Sequence, residues 1–87
     1  MSASSDLSLY QTAFCPYCRR VRAALRRLGV ELELRDINEG SDRRKALVAA
    51  TGRATVPCLR IEDPTEGSRW LHESADIIDY LEQRFGN

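Results

Sequence analysis

Eighty-seven residues make one domain, since a chain of this length buries roughly 60–65% of its unfolded surface around a single small core. Thirteen basic side chains offset thirteen acidic ones, so overall charge makes no electrostatic case for nucleic acid or an anionic membrane as partner. No run approaches the ~18 apolar residues of a transmembrane helix, and three cysteines are too few, and odd in number, for a secreted disulfide framework.

Residues 1–6 lack the basic segment and apolar core of a signal peptide and read as a flexible tail, with the domain over 7–87. The compartment expected is reducing, hence the cytoplasm, and the protein is expected to be monomeric. Leu7-Ser8-Leu9-Tyr10 predicts a strand near 7–11. Val21, Ala24, Leu25 and Leu28 then recur at helical steps, predicting a helix near 16–28. Pro16 is tolerated in its first turn because the missing N–H would be unpaired there, and Gly29 supplies the stop. Residues 31–36 alternate with period two as a second strand. A second helix follows, with Ser41 or Asp42 as N-cap and its end at Gly52. Strands near 58–62 and 68–71 flank the turn-rich Asp63-Pro64-Thr65-Glu66-Gly67. A last helix runs from Ser74 to Arg84 or Phe85, with Ile77, Ile78, Leu81 and Phe85 on one face. The order is β-α-β-α-β-β-α. Strands one and two should be parallel through a right-handed crossover, and the last two should form an antiparallel hairpin.

Cys15-Pro16-Tyr17-Cys18 falls at the junction of the first strand and first helix. There the unpaired N–H groups and the positive end of the helix dipole favour a thiolate, which is the nucleophile of disulfide exchange. Cys18, one helical turn on, is placed to attack a mixed disulfide formed at Cys15. Dithiol redox chemistry is the leading expectation.

Three segments together resemble the thioredoxin fold and, within it, the glutaredoxins. They are Cys15-Pro16-Tyr17-Cys18, Thr51-Gly52-Arg53-Ala54-Thr55-Val56-Pro57, and Trp70-Leu71-His72-Glu73-Ser74-Ala75-Asp76-Ile77. The third is closer to the Glu-Ser signature of glutathione-transferase N-terminal domains, which share the fold. The resemblance spans about residues 7–85 and implies an α/β domain, a four-stranded mixed sheet flanked by three helices. It implies a glutathione-dependent reductase of protein disulfides and glutathione mixed disulfides, with Cys15 and Cys18 catalytic. It further implies glutathione as co-substrate, no metal, and disulfide-bonded or glutathionylated proteins as partners. Glutathione would meet Tyr17, Arg44, Thr55, Val56, Pro57, Glu73 and Ser74. In the family Pro57's counterpart is cis, which would turn the Val56 N–H and C=O toward an extended peptide. Ser74 at a helix N-terminus would receive the γ-glutamyl carboxylate, and Arg44 the glycine carboxylate. One departure is Thr12, where many glutaredoxins carry lysine; Gln11 or an arginine is the substitute.

Other readings stand beside these. Cys58 and His72 would complete a Cys₃His zinc set with the Cys-x-x-Cys pair, though without a second tight pair. Iron–sulfur ligation through Cys15 and glutathione occurs in the family, mostly with Gly or Ser inside the motif. Cys58 reads as a small buried hydrophobe or a third redox partner, His72 as a structural or surface residue, and Trp70 as core. Arg19, Arg20, Arg22, Arg26 and Arg27 read as a solvated face or, near Cys15, as a source of thiolate stabilisation. The alternatives in function are a glutathione- or iron–sulfur-cluster-binding module without turnover, a detached transferase-like thiol domain, or a thioredoxin-like protein reduced by a flavoenzyme.

Overall fold

A computed structural model of the chain describes residues 2–86. Its elements are β1 (Ser2–Gln11), α1 (Pro16–Leu28), β2 (Val30–Asp36), α2 (Ser41–Thr51), β3 (Cys58–Asp63), β4 (Gly67–Leu71) and α3 (Ser74–Phe85). The sheet order is β2-β1-β3-β4. β1 and β2 are parallel, whereas β1–β3 and β3–β4 are antiparallel. This is the mixed four-stranded thioredoxin-like arrangement.

Strand periodicity sorts the core into two layers. From β1 and β3, Leu7, Leu9, Leu59 and Ile61 pack with Val21 and Leu25 of α1 and Ile77 and Leu81 of α3. The alternate residues Tyr10 and Cys58 pack on the other face with Ile37 and with Leu47 of α2. Leu9, Val21, Leu47, Leu59, Ile77 and Leu81 are wholly buried, and each such side chain contributes ~1.5–3 kcal/mol over its exposed state. Trp70 joins the α2 layer from β4: its ring lies 5.2 Å from that of Tyr10, and the Arg60 guanidinium covers it.

Two local expectations change. β1 begins at Ser2 rather than near residue 7, because Ser2 and Ala3 pair with Val30 and Glu31 across a register shift before Ser8. Two residues of the stretch read as a tail, Ser2 and Ala3, are therefore paired backbone. Gly40, at φ 109°, is the N-cap of α2. The helix starts at Ser41 itself, so Ser41 and Asp42 lie in its first turn instead of capping it. The hairpin turn forms as its sequence implies: Asp63 Oδ1 accepts hydrogen bonds from the Thr65 N–H (2.8 Å) and the Glu66 N–H (3.1 Å).

Registers decide where the loops meet. Tyr10 lies opposite Cys58, and Leu59 opposite Leu71. The exit of β1, the entry to β3 and the exit of β4 therefore share one end of the sheet. Three chain segments far apart in sequence, 12–15, 54–57 and 72–74, gather there.

Candidate active site

Cys15 is the N-cap of α1, with extended backbone (φ −76°, ψ 124°) and Pro16 next in the first turn. Its Sγ accepts a hydrogen bond from the Cys18 N–H at 3.4 Å. The sulfur thus satisfies one of the amide groups that a helix leaves unpaired at its start. Cys15 is partly exposed, whereas Cys18 and Cys58 are buried.

Electrostatics separate the three thiols. Burial pushes the Cys15 pKa up, but hydrogen bonds from Cys18 and Tyr17 and the Arg22 charge outweigh it and leave the group more acidic than an ordinary cysteine. Cys18 is driven the other way, to about 11, chiefly by burial and also by its neighbour Cys15. Burial pushes Cys58 up to about 12. Of the three thiols the accessible one is the most acidic, as nucleophilic exchange requires.

Beside the α1 N-terminus lies a cleft of about 320 Å³ lined by Tyr17, Thr55, Val56, Pro57, His72, Glu73 and Ser74. The Val56–Pro57 peptide is cis. Tyr17 stands on the rim at 59% exposure. Ser74 is the first residue of α3, and the N-cap Glu73 makes no side-chain capping bond, so no side chain of that residue occupies the helix start.

Six of the seven expected ligand residues thus line one cleft. Arg44 does not: it sits in the first turn of α2, exposed, and its Nη2 donates to Asn38 Oδ1 at 3.0 Å. Gln11 is not a free substitute for the missing lysine either. Its side chain is 7% exposed, and its Oε1 accepts a hydrogen bond from Arg22.

Sequence reading took His72 as a structural or surface residue, or as a zinc ligand with Cys58, and not as part of the cleft; it lines the cleft and brings Nε2 to 3.8 Å from Cys58 Sγ. Burial lowers its pKa, and the Arg53 charge adds to the effect. Its place follows from the Leu59–Leu71 register, a tertiary fact. Among the described residues no group of three or more His, Cys, Asp or Glu side chains comes together as a metal site; Cys58 and His72 meet on their own. Nor is any described helix long and apolar enough to cross a membrane.

Comparison with known proteins agrees with this geometry. The family profile described as glutathione S-transferase, N-terminal domain, matches residues 9–87. A glutaredoxin of Vernicia fordii is 38% identical over 89 aligned positions, covering 91% of this chain and 83% of that protein. Glutaredoxin 3 of Escherichia coli (strain K12) is 31% identical over 58, covering 67% of this chain and 70% of that protein. The reduced glutaredoxin C1 of Populus tremula x tremuloides superposes with a TM-score of 0.65 at 27% identity, covering 94% of this chain and 68% of that one. The trimeric Leishmania glutathione transferase TDR1 gives 0.73 at 28% identity; 91% of this chain is covered, but it spans only 18% of the transferase. A dithiol whose N-cap cysteine is the acidic one, beside a peptide-sized cleft, on this sheet order and with these relatives, leads to one assignment: the chain belongs to the glutaredoxin family of thiol–disulfide oxidoreductases and carries features of glutathione-transferase N-terminal domains.

Proposed function

We propose that the protein is a dithiol glutaredoxin that uses glutathione to reduce mixed disulfides and protein disulfides. The observation that carries the reading is the acidified, accessible Cys15 at a helix N-cap, next to the cleft formed by Tyr17, Thr55, Val56, Pro57, Glu73 and Ser74.

In this reading the Cys15 thiolate attacks the glutathione sulfur of a mixed disulfide. The old S–S bond breaks, the substrate leaves as a thiolate that takes a proton from water, and a Cys15–glutathione disulfide forms. A second glutathione thiolate attacks the glutathione sulfur of that bond. Oxidised glutathione departs and the Cys15 thiolate is regenerated. With a protein disulfide, Cys15 bonds one substrate sulfur; Cys18 then gives up its proton and attacks Cys15 Sγ, leaving an internal disulfide and a reduced substrate. Two glutathiones reduce that disulfide in turn. Cys18 is pushed up to about 11, chiefly by burial and in smaller part by Cys15, so a disulfide at Cys15, which removes that neighbouring charge, makes it easier for Cys18 to give up its proton. This order suppresses competition between the two sulfurs.

The ligand contacts assigned are main-chain pairing at Val56, packing by Tyr17 and Pro57, a polar contact at Thr55, and capture of the γ-glutamyl end by Glu73 and Ser74 at the start of α3. Arg44 is left out because it lies outside the cleft.

The test is a pair of variants assayed with a glutathionylated peptide and a disulfide-bonded protein. Cys15→Ser should lose both activities, and Cys18→Ser should keep the first and lose the second. Substantial turnover by Cys15→Ser would overturn the nucleophile assignment. A second reading, reduction by a flavoenzyme, is favoured by Thr12 together with the engagement of Gln11 by Arg22. Faster reduction of the oxidised protein by thioredoxin reductase than by glutathione would select it.

A further inference from the structure

Arg22 differs from the other arginines of α1. Arg19, Arg20 and Arg26 are exposed and enter no ion pair among the described residues, while Arg27 pairs with Glu82 at 3.0 Å. Arg22 instead turns back along its own helix toward the turn that precedes it. Its Nη1 donates to Gln11 Oε1 and to the Thr12 carbonyl at 3.1 Å, and its Nη2 donates to the Ala13 carbonyl at 3.0 Å. The strand ladder of β1 ends at Gln11, so the Thr12 and Ala13 carbonyls need a partner from elsewhere. A planar guanidinium with several fixed donors can bond all three acceptors at once, which a single ammonium cannot do in that geometry.

We propose that Arg22 is a positioning residue: by clamping residues 11–13 to α1 it fixes the turn that delivers Cys15, keeping the sulfur on its capping amide and a cation beside it. This rests on the reading of Cys15 as the nucleophile, though not on glutathione as the reductant. The titratable groups around the sulfur are Tyr17, Cys18 and Arg22 on its own helix, with His72 and Glu73 lining the cleft alongside. Of these, Cys18 takes a hydrogen bond from the Thr12 N–H, and Arg22 bonds three acceptors across residues 11–13. No carboxylate forms an ion pair with it among the described residues, so its charge is not neutralised, and it acts on both Cys15 and Cys18.

The experiment reads the pH dependence of Cys15 alkylation by iodoacetamide, located by mass spectrometry, on the full chain and four variants, with urea unfolding in parallel. Arg22→Gln should raise the midpoint by about half to one pH unit, so that roughly three- to tenfold less thiolate is present below it. Arg22→Lys, which keeps the charge without the fork, should fall between wild type and Arg22→Gln. Gln11→Leu, which keeps Arg22 but removes one acceptor, should give a smaller upward shift. Arg19→Gln, the control, should leave the midpoint in place. An unchanged midpoint in Arg22→Gln would overturn the inference. So would an equal shift in Arg19→Gln, which would point to the general field of the helix, or an Arg22→Lys midpoint equal to wild type, which would make charge alone sufficient. If Arg22→Gln does not fold, the Arg22→Lys and Gln11→Leu midpoints decide. Alkylation needs no glutathione, so a failure of glutathione turnover leaves this result standing and is read separately.

Discussion

Replacing Cys58 by alanine tests whether its sulfur is redox machinery or core. Cys58 has no exposed surface and packs with Tyr10, Ile37 and Leu47. Removing the sulfur should cost about 1 kcal/mol at pH 7, the transfer of one small apolar group plus some cavity. The pH dependence is the sharper signature. Burial holds the folded-state pKa at about 12 against 9.0 for an ordinary thiol, so the native protein keeps a proton that the unfolded chain gives up. The sign follows by linkage: this preference is fully present below pH 9 and lost as pH rises toward 12. At pH 10 the unfolded thiol is mostly ionised and the folded one is not, which lowers wild-type stability by about 1.4 kcal/mol. Groups common to both chains cancel in the difference. The stability gap between wild type and Cys58→Ala, from urea unfolding under reducing conditions, should therefore fall from about 1 kcal/mol at pH 7 to zero or slightly reversed at pH 10. A gap that stays constant over that range would refute the buried-thiol argument. So would rapid alkylation of native Cys58 at pH 7.

The remaining predictions concern the core, a helix stop and the cleft. Leu81→Ala empties a wholly buried position between α3 and the sheet and should lower unfolding free energy by about 2–5 kcal/mol in urea titration. Gly29→Ala places a β-carbon on a left-handed residue, φ 69°. With nothing crowding that site, the loss should be confined to about 1–2 kcal/mol of backbone strain, read from the thermal midpoint. Ser74→Ala should weaken glutathione turnover through KM by about fivefold, corresponding to about 1 kcal/mol for a lost polar contact, while the circular dichroism spectrum stays unchanged; an unaltered KM would remove Ser74 from the ligand set.

The sequence made the element order readable because its signals are local. Pro16 and Gly29 bracket α1, Gly52 ends α2, and Asp63 organises the hairpin turn through its own neighbours. The dithiol was legible for the same reason: a strand–turn–helix junction places Cys15 on amide groups a few residues away. The start of β1 was not, since residues 2–6 carry no strong period and only the pairing of Ser2 and Ala3 with β2 extends the strand that far. The N-cap of α2 was misplaced because the capping residues in its sequence lie one step inside the helix that Gly40 opens.

What the chain determines by itself is therefore which residues can form each element and where an acidic sulfur can arise, because hydrogen bonds within a few residues set both. Which distant side chains share the cleft was decided only on folding. Strand register placed His72 beside Cys58 and the Glu73–Ser74 helix start beside Val56 and Pro57. It left Arg44 bonded to Asn38 outside the cleft. Arg22 shows the difference at a single position. In sequence it is one of five arginines on a polar helix face. In the folded chain it bonds the turn ahead of Cys15, because only there are unpaired carbonyls held within reach of its guanidinium.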